Sequence, residues 1–142
     1  MDTKTQCFTI FMKQYLPLPS SHEEIGRKII SAAYKVHSSL GPGLLEKIYE
    51  ICLTYELQKM GLRAERQVIV PIKYDELVFE EGLRIDILVE DTIIVEVKAL
   101  ELVNPVWKSQ VLSYLKMTNR RLGFVLNFNV QSMKEGIQRV IL

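Results

Sequence analysis

Charges stand among apolar residues in two neighbouring stretches of this sequence. Thr92-Ile93-Ile94-Val95-Glu96-Val97-Lys98 is almost wholly apolar except for Glu96 and Lys98. These lie two positions apart, so in a strand both point to one face. Asp86 interrupts Arg84-Ile85-Asp86-Ile87-Leu88-Val89, and aspartate is a poor strand former. A tight turn at Glu90-Asp91 pairs residues whose numbers sum to about 181. Asp86 then lies opposite Val95 or a neighbour, close to Glu96. Two carboxylates and one ammonium converge at one end of a hairpin. Carboxylate oxygens suit a hard divalent ion such as Mg2+ or Mn2+, which binds through one or two carboxylates and keeps several waters. Lys98 beside such an ion would orient or activate a water, or stabilise negative charge on a phosphate. The same residues also suit a solvated sheet edge, where Lys98 pairs with Glu96 or Asp86 for about 0–1 kcal/mol.

Other polar residues admit two readings each. Glu46 borders the apolar face of a helix, three residues before Tyr49. It would add a carboxylate to the site, or simply favour the positive end of the helix dipole. Glu56 falls within the apolar arc of that helix and reads as locally paired. Gln110 and Tyr114 are four apart and share a helix face. Beside a metal, Gln110 would hydrogen-bond a water or backbone group and Tyr114 would touch a phosphate; otherwise they form an amphipathic border. His22 and His37 share no spacing with another ligand. No G-x-S-x-G, P-loop or Cys/His dyad is present.

The elements that must position these residues follow from periodicity and punctuation. Ser21 and Glu24 fit a capping box, and Ile25, Ile29, Ala32, Ala33, Val36 and Leu40 then recur at helical spacing. Gly41-Pro42-Gly43 ends that helix. A second helix runs over 44–60 with Leu44, Leu45, Ile48, Tyr49, Cys52, Leu53 and Tyr55 as its apolar face, and Gly61 stops it. Segments 66–74, 77–79, 83–89 and 92–97 read as strands. Asn104-Pro105 predicts an N-cap followed by proline at the first helical position. The helix it opens runs to Thr118 and buries Val106, Trp107, Val111, Leu112 and Leu115. Segment 122–128 reads as a strand parallel to 92–97, because a helix crosses between them. A short helical turn over 133–137 and the apolar run Val140-Ile141-Leu142 close the chain. The order is α-α-β-β-β-β-α-β, an α/β domain.

Composition bounds the rest. The chain has 142 residues, 48% hydrophobic and 25% charged, with a net charge of +1. That fits one core and excludes a disordered chain. Two cysteines, Cys7 and Cys52, exclude a four-cysteine zinc or iron–sulfur site and a disulfide scaffold. No run reaches the roughly 18 apolar residues of a membrane helix. The apolar run Cys7–Met12 is too short for a signal-peptide core, which predicts a cytoplasmic protein with reduced thiols. Residues 1–19 end in Pro17-Leu18-Pro19 and read as an N-terminal extension, with one domain over 20–142.

In combination these residues resemble a known family. Asp86 followed by Glu96-Val97-Lys98 looks like the D…E-x-K signature of the PD-(D/E)XK nuclease superfamily. Gly43-Leu44-Leu45-Glu46-Lys47-Ile48-Tyr49 matches the G-x-x-E-x-x-Y motif of the GxxExxY proteins within it. The likeness runs over about residues 21–142 and includes Arg63–Val70, Gln110–Thr118 and Asn127-Phe128-Asn129. One departure is Ile85, where the superfamily name has proline. The resemblance implies a restriction-endonuclease-like core, a central mixed β-sheet flanked by α-helices. It makes Asp86, Glu96, the carbonyl of Val97 and Glu46 metal ligands, and Lys98 the catalytic lysine. Gln110 and Tyr114 match the Q-x-x-x-Y motif of RecB-type nucleases and would meet substrate.

Two functions compete on this basis. One is a Mg2+- or Mn2+-dependent phosphodiesterase acting on DNA, with RNA as the second choice and with little sequence specificity of its own. The other is a binding module for nucleic acid or a protein partner that keeps the nuclease fold, including a homodimer. A metal-dependent hydrolase of small phosphates is a weaker third. The net charge conceals an asymmetry relevant to all of them. Residues 1–102 hold 12 basic and 16 acidic side chains, a net of −4, and residues 103–142 hold 6 and 1, a net of +5. An acidic pocket beside a modest basic flank predicts weak, salt-sensitive binding to a phosphate backbone.

Overall fold

The computed structural model describes residues 16–142. Most of the expected extension over 1–19, with Cys7, lies outside the described residues. The elements are α1 (Ser20–Leu40), α2 (Glu46–Lys59), β1 (Ala64–Tyr74), β2 (Leu77–Val89), β3 (Ile93–Lys98), α3 (Val106–Thr118), β4 (Leu122–Asn127), a 3-10 turn (Met133–Gly136) and β5 (Ile137–Ile141). The strands form one sheet in the order β1-β2-β3-β4-β5. Only β3 and β4 are parallel, joined through α3 as their spacing predicts, and the other pairs are antiparallel. This is an α/β fold, a mixed sheet flanked by helices.

Two cores separate three layers. Ile29, Ala32 and Ala33 of α1 and Tyr49, Leu53 and Leu57 of α2 pack with Ile87, Val95, Val97 and Phe124 on one side of the sheet. Trp107, Val111 and Leu115 of α3 pack with Ile94, Val125 and Val140 on the other. Asn104 caps α3 as expected: its Oδ1 accepts from Val106 N at 3.0 Å, and Pro105 already has helical dihedrals. No helix among the described residues is long and apolar enough to cross a membrane.

Several expectations need correction. Ser21 does not cap α1, which begins at Ser20 without a side-chain cap. The carbonyl of Pro19 takes the N–H groups of His22 and Glu23 instead. Segments 77–79 and 83–89 are one strand. Glu80 and Glu81 do not break it because that end of the β1–β2 hairpin is exposed on both faces. With those two segments merged, three strands, not four, precede α3, and the final apolar run adds a strand, β5, after β4. The buried face of α2 is Tyr49, Glu50, Leu53, Thr54 and Leu57, while Leu44, Leu45, Ile48 and Tyr55 are exposed. Apolar residues occur all round this helix, so their spacing gives no single face. Val106 is exposed as well, since it sits on the solvent side of the first turn of α3.

The two long strands share an irregularity. Residues two apart in a strand normally share a face. Yet Ile85 packs towards α3, and Ile87 packs towards α1 and α2. In β1, Ala64 belongs with α1 and α2, and Val68 and Val70 belong with α3. Both strands therefore exchange faces on one rung. The register Arg66↔Ile87 and Val68↔Ile85 places Gln67 and Asp86 on that rung. Gln67 has φ 55°, a left-handed conformation that reverses the side-chain alternation. Asp86 thus sits where the sheet changes sides, reachable from both layers.

Candidate active site

The turn at Glu90-Asp91 has positive φ at both residues, the geometry that closes a two-residue hairpin. Its pairs are Val89↔Ile93, Leu88↔Ile94 and Ile87↔Val95. Their numbers sum to 182, one more than the sequence suggests, and the next rung sets Asp86 against Glu96 rather than Val95. The backbone ladder stops at that rung. In place of a main-chain partner, Val97 N donates to Asp86 Oδ2 at 2.9 Å. The carboxylate takes over where β3 parts from β2.

Glu96 and Lys98 share the face of Ile94, towards α3. Glu96 is buried, and its Oε1 has no hydrogen-bond partner. Burial first, and then the neighbouring Asp86 carboxylate, push its pKa up to about 8, against the pull of Lys98. Lys98 is half-buried, with Nζ 5.8 Å from the centre of the Trp107 ring. Its strand end is tied down. Phe128 N donates to Lys98 O at 2.9 Å. Asn127 clasps Leu100 through both backbone groups, at 3.2 and 2.8 Å.

Glu46 comes from the other layer. It is the first residue of α2, and the neighbouring glycine and tyrosine build its mount. Gly43 has φ +101°, which a side chain would disfavour. Tyr49 is fully buried, donates to Gly41 O at 2.5 Å and accepts from Leu44 N at 3.1 Å. Its ring stacks on Phe128 with centroids 4.7 Å apart. Partial burial and then Asp86 raise the Glu46 pKa, while Lys98 lowers it. Glu46 shares a cavity lining with Asp86. On α3, Gln110 Nε2 donates to Tyr114 Oη at 3.0 Å. Burial raises the Tyr114 pKa, and the charges of Glu96 and Asp86 add to it, against the Gln110 bond.

Of the expected residues, Val97 bonds Asp86, Glu96 and Lys98 flank Val97 on β3, and Glu46 lines a cavity with Asp86, while Gln110 and Tyr114 bond each other on α3. The carboxylates do not merge into one cluster. Among the described residues no three His, Cys, Asp or Glu side chains stand close enough together to hold a metal ion.

An open cavity of about 520 Å³ adjoins Asp86, lined by Glu46, Lys47, Glu50, Arg66, Gln67 and Asp86. Four of these, Lys47, Glu50, Arg66 and Gln67, are not among the site residues expected from the sequence. Glu50 lies one turn after Glu46 and is buried. Arg66 and Gln67 are polar residues inside a Val- and Ile-rich strand, which was the available signal. A larger cavity, about 650 Å³, lies beside Leu16, His22, Asp91, Arg120 and Arg121. Its cations are used structurally. Arg120 pairs with Asp91 at 2.8 Å, and Arg121 donates to the carbonyls of Leu16, Pro17 and Leu142. Arg139 pairs with Glu23, so half of the C-terminal cations serve the fold, and Lys108, Lys116 and Lys134 remain exposed.

The fold agrees with the comparison to known families. The chain belongs to the PD-(D/E)XK nuclease superfamily, whose family model matches residues 23–140. No curated protein and no solved structure matches it. Nucleases of this superfamily generally use divalent metals and act on nucleic acids.

Proposed function

We propose that this protein is a divalent-metal-dependent nuclease of the GxxExxY group, hydrolysing phosphodiester bonds of DNA or, as second choice, RNA, with little sequence specificity of its own. The working domain is 20–142. The observation that carries the reading is Glu96, a buried carboxylate with an unpartnered oxygen beside Asp86 and Lys98. An apolar-packed strand loses stability by burying that charge beside another. One ammonium, Lys98, stands against the two carboxylates of Asp86 and Glu96, which leaves room for a hard cation held by both and by water.

Asp86 and Glu96, with the Val97 carbonyl, would hold Mg2+ or Mn2+, and Glu46 would assist from across the cavity. The ion supplies Lewis-acid stabilisation of the phosphate and a lowered pKa for the attacking water. The chain's own residues do the rest. Val97 N–H fixes the orientation of the Asp86 carboxylate. Lys98 places its ammonium where negative charge grows on the phosphate. Trp107 and the clasped strand end restrict where that ammonium can reach. Tyr114, held by Gln110, offers its hydroxyl to a phosphate oxygen. The site carries no groove-reading insertion, so base readout has no evident means.

The test is a cleavage panel of single- and double-stranded DNA and RNA with Mg2+, Mn2+ and EDTA. Wild type is expected to cut with metal only, and Lys98→Ala is expected to lose cutting with its fold intact. Wild-type rates from Lys98→Ala would sink the assignment. No cutting by wild type, with binding that survives Glu96→Gln, would make the protein a non-catalytic binding module.

A further inference from the structure

The ion pair at the back of the cavity lies outside the proposed metal ligands, and its geometry leaves a donor without an acceptor. Glu50 uses both oxygens on it: Oε2 accepts from Arg66 Nη2 at 3.2 Å, and Oε1 accepts from Gln67 Nε2 at 2.6 Å. Arg66 Nε is buried without a partner, which costs about 1–3 kcal/mol for a polar group. The left-handed Gln67 costs a similar amount, of order 1–3 kcal/mol. The Gln67 amide bond to Glu50 offsets the strain, whereas Arg66 Nε has no partner among the described residues. The Arg66 side chain nevertheless keeps 31% of its surface and lines the cavity beside Asp86, with Lys47 at the rim. One edge of the guanidinium is fixed by Glu50, so its fork is oriented before any ligand arrives. A planar fork of this kind suits the oxygens of a phosphate.

Charge decides when such a ligand can enter. The cavity is lined by three carboxylates, Glu46, Glu50 and Asp86, and two cations, Lys47 and Arg66, for a net of −1. A divalent ion at Asp86 turns that sum to +1, which admits an anion.

We propose that Arg66, oriented by Glu50 and Gln67, binds a nucleic-acid backbone phosphate next to the one held at Asp86, with Lys47 as the outer contact. The assignment rests on the nuclease reading and extends it to the path of the strand, across α2 and β1 as well as past α3.

The test measures binding of a labelled single-stranded and a labelled duplex oligonucleotide in Ca2+ over a range of NaCl concentrations. Each phosphate contact contributes about 0.7 (single strand) to 0.9 (duplex) to the slope of log affinity against log salt. The double variant Glu50→Gln/Arg66→Gln keeps hydrogen-bonding side chains and removes both charges. It is expected to lower the slope by about that amount and weaken low-salt binding about tenfold. An unchanged slope and affinity overturn the proposal, as does a wild-type protein that binds neither probe. If the double variant fails to fold, Arg66→Lys retains the ion pair without the fork. It is expected to weaken binding about threefold at constant slope, and wild-type affinity from it overturns the proposal. Cleavage of the same probes by wild type in Mg2+ is scored separately. Absent cleavage with an Arg66-dependent slope removes the nuclease reading and leaves the phosphate site standing.

Discussion

Two buried glutamates stand in different layers of this molecule, Glu50 of α2 and Glu96 of β3. Their exposures are nearly equal, 5% and 4%. Their surroundings are opposite. Glu50 has a guanidinium and an amide on its two oxygens. Glu96 has a second carboxylate beside it and an oxygen with no partner. Burial is therefore a poor guide to function here, and satisfaction is a good one. A buried charge with its partners in place is part of the frame. Glu96, with a carboxylate beside it and an unpartnered oxygen, holds its proton instead, which burial favours.

Replacing each glutamate should separate the two most sharply. Glu96→Gln is expected to lower metal-dependent cleavage about a thousandfold or more while leaving the fold intact. A rate within tenfold of wild type would erase the distinction. Glu50→Ala strands Arg66 and is expected to cost about 2–4 kcal/mol, a fall of about 6–12 °C in Tm. Calorimetry showing no change would mean that the ion pair is not part of the frame.

Acidity provides a third contrast. The Glu96 pKa is raised from 4.5 to about 8 in the fold, so the folded state keeps a proton that the unfolded state gives up. Its contribution is fully present below about pH 4.5 and is lost as pH rises through about 8. Metal-free protein should therefore lose a few kcal/mol of stability between pH 5 and 8. Glu96→Gln should flatten that decline, and Mg2+ should offset it. Denaturant titrations across this range that show a flat wild-type curve would refute the assignment of the shift. The smallest effect concerns the shared rung. Gln67→Gly removes left-handed strain but also the amide on Glu50, so a net change within about 1 kcal/mol is expected. A large loss by urea unfolding would show that the amide matters more than the strain.

The sequence exposes one of these glutamates far more readily than the other. Glu96 stands out because β3 is otherwise apolar, and period-two spacing puts Lys98 on its face. The parallel β3–α3–β4 unit is equally plain, because a proline-marked helix separates two apolar strands. Glu50 is hidden. On a helix with apolar residues on every side, a single glutamate looks solvated, and only its long-range partners, Arg66 and Gln67, reveal its burial. The rung where both strands exchange faces is hidden for a related reason. Nothing in the residue type of Gln67 announces a positive φ. The hairpin register itself misses by one residue, since strand periodicity fixes faces, and the turn alone fixes the pairing.

The stack of Tyr49 on Phe128 also has a bearing on how this protein comes into being. Tyr49 ties down the loop that carries Glu46, and the chain at Phe128 ties down the strand end that carries Lys98. Partners so distant in sequence meet only after a large loop has closed, a slow step in chain assembly. During synthesis, helices α1 and α2 and the first hairpin emerge well before β4. A nascent chain would thus hold Asp86 and Glu96 but neither finished wall of the cleft. The contact of Tyr49 with Phe128 would form late, once nearly the whole domain has left the ribosome.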